Sequence, residues 1–114
     1  MTGRDELGGW CRTLALWAHG KGEIAELWLF GSRARGDHRH DSDLDLAVIM
    51  SAGEEGERLG AWIECAREWK AELATLLPVQ VDLDIGDADI ATTIVAPALK
   101  KDGRQIFRRN TEEA

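Results

Sequence analysis

The sequence predicts an α+β sandwich, a small mixed sheet packed by helices. Three observations carry this: two long segments with apolar residues at helical spacing, three short segments that are apolar or alternate apolar with polar residues, and turn residues between them. At 114 residues the chain is read as a single domain, 1–114, with room for one core but not for a second substrate-binding lobe. A hydrophobic share of 44% with 31% charged residues excludes the disordered and fibrous classes.

Between Asp5 and Ala18, Leu7, Trp10, Leu14 and Trp17 recur at steps of three and four, one stripe of an amphipathic helix that Gly20 and Gly22 end. Gly8 and Gly9 each cost about 1 kcal/mol relative to alanine and blur its start. Ala25 to Phe30 is a nearly unbroken apolar run followed at once by Gly31-Ser32, and it predicts a strand buried on both faces. In Asp43 to Met50, Leu44, Leu46 and Val48 alternate with Asp43, Asp45 and Ala47, which sets two carboxylates on one face of a second strand. Residues 54 to 77 hold the longest helical signal, with Leu59, Trp62, Ile63, Ala66, Trp69, Leu73, Leu76 and Leu77 at a 3.6-residue period. Pro78 stops it, and Val79 to Ile85 forms a third strand with Gln80, Asp82 and Asp84 turned away from the core. A last helix is expected from Asp87 toward Ala96, then a helix end from Lys100, a turn at Gly103 and a short edge at Ile106-Phe107.

The net charge of −7 disfavours direct binding to a polynucleotide, whose phosphates attract basic surfaces. No apolar run approaches the roughly 20 residues that span a bilayer, so no membrane partner is expected and the cytoplasm is the expected location. Cys11 and Cys65 lie in separate helical patterns without CxxC spacing and read as reduced packing residues. Trp10, Trp17, Trp62 and Trp69 occupy regular helical positions and read as packing residues, whereas Trp28 belongs to the first strand.

Two motifs carry chemistry. Gly31-Ser32-Arg33-Ala34-Arg35-Gly36 follows a buried strand directly: glycine admits a bulky anion close to the backbone, a helix opening at Ser32 offers free N–H groups, and the hydroxyl and arginines add hydrogen bonds and charge. No GK[ST] follows, so it is not a Walker loop. The bland alternative is a capped turn with two solvated arginines. In Ser42-Asp43-Leu44-Asp45-Leu46 the paired carboxylates repel unless a cation lies between them, and magnesium suits oxygen ligands shared with phosphates; the alternative is an acidic edge strand in water. The Val81-Asp82-Leu83-Asp84 strand can bring a third carboxylate to the same face, enough to hold two metal ions. His38, His40 and Asp41 lack the spacing of a tetrahedral zinc site and read as a solvated loop.

In combination, Gly31-Ser32, Asp43-Leu44-Asp45 and a later strand bearing Asp82 resemble the DNA polymerase beta-like nucleotidyltransferase superfamily. GSRARGDHRHDSDLDLAV, with the VDLD strand and the closing KKDGRQIF, is similar to the minimal nucleotidyltransferases of prokaryotes. That resemblance implies that Asp43, Asp45 and Asp82 bind two magnesium ions, with Asp82 also helping to activate the attacking hydroxyl. It further implies that Gly31 and Ser32 hold the terminal phosphates of a nucleoside triphosphate, ATP being favoured, with Arg33 and Arg35 as weaker nucleotide-binding assignments. Asp84 shares the face and is the alternate for Asp82.

The implied activity moves AMP, or another nucleoside monophosphate, to an acceptor hydroxyl and releases pyrophosphate. A domain this small lacks a lobe for its acceptor. The resemblance therefore points to antitoxins paired with a helical HEPN-type toxin, a tyrosine of which is the acceptor. Two other readings differ in class. One is a non-catalytic clamp that neutralises its partner by contact, which has no need of three mutually repelling carboxylates. The other is transfer to a small molecule such as an aminoglycoside, which needs a pocket that a chain this short forms only by dimerising, so a homo-oligomer belongs to that reading.

Overall fold

A computed structural model describes residues 2–36, 43–51, 55–86 and 103–109. Helix α1 (Thr2–His19) leads into strand β1 (Ile24–Phe30) and a one-turn helix α2 (Ser32–Arg35). Strand β2 (Leu44–Met50), helix α3 (Glu55–Leu76), strand β3 (Val81–Ile85) and strand β4 (Arg104–Arg108) follow. The four strands form one mixed sheet in the order β3-β2-β1-β4, with β2 and β3 parallel and β1 antiparallel to both β2 and β4. The expected α+β sandwich is therefore the observed architecture. The expected helix over Asp87 to Ala96, the Lys100 helix end and the His38–His40–Asp41 loop lie outside the described residues.

Strand alternation divides the sheet into two unlike faces. Leu27 and Leu29 of β1, Leu44, Leu46 and Val48 of β2, and Leu83 and Ile85 of β3 are buried with Leu14 and Ala18 of α1 and Trp62, Trp69 and Leu73 of α3. Glu26, Trp28 and Phe30 fall on the other face and are only half-buried. Strand β1 is thus buried fully on one face, not on both as its apolar run suggests. The outward indole N–H of Trp28 donates to Glu26 Oε1, which Gln105 Nε2 also reaches from β4.

The helices are joined by tryptophan. The rings of Trp17 and Trp69 meet edge to face with centroids 5.9 Å apart, and Trp62 packs behind Trp69 at 6.4 Å. Helix α1 runs through Gly8 and Gly9, and burial of its stripe offsets their poor propensity. The stripe of α3 is narrower than its periodicity suggests: Ile63 is 65% exposed, and Leu59 and Leu76 stand at 36% and 39%. The seam against the sheet is carried by Trp62, Trp69, Leu73 and, just past the helix, Leu77. Cys11 and Cys65 are free thiols, both half-buried, and burial pushes both above the usual thiol range.

Arg109 ties three elements together. Its Nε donates to the Ile24 carbonyl at 3.0 Å, and one terminal nitrogen reaches the carbonyls of Ala18, His19 and Lys21 at 3.0–3.2 Å. A cation thereby meets the carbonyls at the end of α1, where the helix dipole is negative. Arg109→Ala is expected to cost about 1–2 kcal/mol in urea unfolding, because charge-assisted bonds to partly buried carbonyls are lost together. Arg109→Lys should recover part of that.

A second staple joins Lys21, Trp17 and Glu72. Lys21 Nζ lies 2.8 Å from Glu72 Oε1, which also accepts from the Trp17 indole at 2.8 Å. Hydrogen bonding from Lys21 first and Trp17 second holds the Glu72 carboxyl below its ordinary 4.5. A depressed carboxyl stabilises the fold above its unfolded pKa, and that contribution is lost as pH falls through the folded value. The pair is partly exposed, so the effect is small. The melting-temperature gap between wild type and Glu72→Gln should be widest above about pH 5 and shrink as the pH falls below that.

Candidate functional site

The site begins where β1 ends. Gly31 has a φ of +80°, a conformation that side-chain-bearing residues rarely adopt. A Cβ placed on it would fall on Oδ2 of Asp45 and lie 3.1 Å from that residue's Cγ. The glycine is therefore required twice, to turn the chain and to let the loop lie directly against the Asp45 carboxylate. Phe30 and Asp45 are register partners on β1 and β2, so strand pairing sets this approach.

Strand pairing also places the later carboxylates in different rows. On the parallel pair β2–β3, Asp45 is aligned with Asp82, whereas Asp84 is aligned with Ala47, one row further along. Aligned residues on neighbouring strands share a face, with strands about 4.8 Å apart. Asp43, immediately before β2, is exposed and two residues from Asp45, which gives it the same face by alternation. Asp84 is engaged locally: its Oδ1 accepts from the Ile85 N–H at 2.7 Å. Asp82 is exposed, and alternation at the sequence level does not distinguish it from Asp84; register does.

Helix α2 is a single turn closed by Ala34 N–H to Gly31 O at 3.1 Å. Four residues align few peptide dipoles, so the loop offers individual N–H groups rather than the field of a long helix. The side chains of Ser32 and Arg35 lie outside the described residues. Arg33 turns inward: it is 6% exposed, and its guanidinium lies 5.3 Å from the ring centroid of Trp10 on α1. This contact is absent from the sequence reading, which places Arg33 beside phosphate. No pattern within the loop signals it, because Trp10 is 23 positions earlier in the chain.

The residue types fit magnesium: hard carboxylate oxygens from β2, its approach and β3 lie on one face beside a glycine loop packed against Asp45. As the side chains stand, no three His, Cys, Asp or Glu among the described residues converge closely enough to hold a metal ion. Also among the described residues, no helix is long and apolar enough to cross a membrane.

The polymerase beta nucleotidyltransferase family model matches residues 14–112. No curated protein matches the chain. Several solved structures share its fold. A crystal structure of a toxin–antitoxin with AMP-PNP is 21% identical, with 90% of this chain and 77% of that one covered and a TM-score of 0.64. Two mutants of the toxin–antitoxin MntA–HpeT are similar at 20% and 23% identity, covering 90% of this chain and 75% and 74% of those, with TM-scores of 0.60 and 0.57.

Proposed function

We propose, from the premise that the chain belongs to the polymerase beta nucleotidyltransferase family, that it is a magnesium-dependent enzyme moving AMP from ATP to a hydroxyl of a partner protein. In this reading it is a cytoplasmic antitoxin, and its partner is a helical HEPN-type toxin. The observation that carries the reading is the contact of Gly31 with Asp45, continued through register to Asp82. It sets the glycine loop, which offers backbone N–H groups for phosphate in this reading, against a row of carboxylates, the two halves that transfer from a triphosphate requires. The structural neighbours, among them a toxin–antitoxin with AMP-PNP, support a toxin partner and a nucleotide in general.

In the proposed mechanism Asp43, Asp45 and Asp82 hold the magnesium ions. Bound magnesium supplies charge neutralisation at the triphosphate and makes the acceptor hydroxyl more acidic. Gly31 and Ser32 hold the terminal phosphates through backbone N–H groups and a hydroxyl, and Arg35 adds charge there. Asp82, exposed at the sheet edge, helps take the hydroxyl proton. The acceptor oxygen bonds to the α-phosphorus as the bond to the bridging oxygen breaks, and pyrophosphate leaves. Positioning and charge do most of the work.

Magnesium-dependent pyrophosphate release from ATP, in the presence of the product of the adjacent gene, tests the reading. Asp82→Asn should lower the rate by about a hundredfold or more, the scale of a lost charge-stabilising group. Asp84→Asn, one row away and engaged by Ile85, should stay within about threefold, a change of under 1 kcal/mol. The reverse order would move the third-carboxylate role to Asp84. A wild type that releases no pyrophosphate would overturn the reading.

A further inference from the structure

We infer that Trp10 is a positioning residue for the nucleotide loop, holding it through the buried guanidinium of Arg33. The inference rests on the proposed reading of that loop as the site that takes the triphosphate. A one-turn helix cannot maintain itself, since helix formation pays off only over many residues. Helix α2 therefore depends on what its side chains touch. Ala34 packs against the core, and Arg33 lies against Trp10.

The support behind Trp10 comes from contacts along α1. Helix α1 is fixed to α3 by the crossed rings of Trp17 and Trp69, and its last turn is held by Arg109. A line of contacts thus runs from α3 through α1 to Arg33, two residues beyond Gly31. Arginine stays charged at all working pH values, and its planar group stacks on aromatic faces in a way a lysine ammonium does not. Buried at 6% exposure, it gains from the indole π-face part of what it loses in leaving water. The loop amides are then held in place before nucleotide arrives, which lowers the ordering cost of binding.

Two readouts test this on the full chain: amide hydrogen exchange at residues 33–36 without nucleotide, and the ATP dissociation constant with magnesium. Trp10→Leu should speed exchange at those amides about tenfold and weaken ATP binding by about the same factor, as expected for a desolvated cation–π contact. Exchange across Leu44–Met50 should not change. Trp10→Phe, which keeps a π-face, should restore most of both. Arg33→Met combined with Trp10→Leu should lose less than the sum of the two single losses, because the two side chains touch. Unchanged loop exchange in Trp10→Leu, or additive losses in the double variant, would overturn the inference even if the wild type binds ATP. A wild type that shows the exchange pattern but binds no ATP would instead sink the catalytic reading, and the nucleotide role of Trp10 with it.

Discussion

Gly31→Ala is expected to lower the transfer rate by about a hundredfold or more, the scale of a misplacement of about 1 Å at a reacting centre. Two effects act together. The methyl group would occupy the space of the Asp45 carboxylate, so either that side chain rotates away or the loop lifts off β2. The φ of +80° is also unfavourable for alanine, which adds about 1–2 kcal/mol of destabilisation. Gly36, with a φ of +85° and nothing within 4 Å of its would-be Cβ, is the internal control. Gly36→Ala should carry the backbone cost alone and leave Asp45 in place. Steady-state rates with melting temperatures separate the two: if Gly31→Ala and Gly36→Ala lose similar activity, steric contact with Asp45 is not what makes Gly31 necessary.

Asp45→Asn is expected to reduce transfer by about a thousandfold or more while leaving the fold intact. Asp45 sits between both halves of the site, touching Gly31 on one side and aligned with Asp82 on the other. The amide is isosteric, so packing against Gly31 is preserved while the charge is lost. Removing one of several neighbouring negative charges relieves their repulsion, and the protein should remain folded. A loss of activity accompanied by an equal loss of folded protein would mean that Asp45 serves stability. Raising the magnesium concentration should not recover the rate, because the missing ligand is central to the site.

Much of this arrangement was legible in local pattern. Alternation in Asp43–Met50 and Val79–Ile85 separated carboxylates from core residues, and Pro78 marked the end of α3 within two residues. Gly31 after an apolar run signalled a turn, although its contact with Asp45 depends on strand pairing. The alignment of Asp82, rather than Asp84, with Asp45 comes from parallel register, which no single strand encodes. The open second face of β1 was illegible for a related reason: Leu27 and Trp28 are both apolar, and only the placement of α1 and α3 on one side decides which is buried. Ile63 fits the helical period of α3 yet faces out, because the seam against the sheet is narrower than the apolar arc. Arg33 and Arg109 look alike as isolated cations. Their roles come from partners far away in sequence, Trp10 for one and the end of α1 for the other.

The central claim is that this chain is a metal-dependent transferase acting on a protein. Its most direct test incubates wild type, and an Asp43→Ala/Asp45→Ala double variant, with magnesium, ATP labelled on the α-phosphate and the product of the adjacent gene. Label joined covalently to that protein by the wild type and not by the double variant is the predicted result. Tight association of the two proteins with no label transferred by either form would contradict it and leave a clamp that works by contact alone.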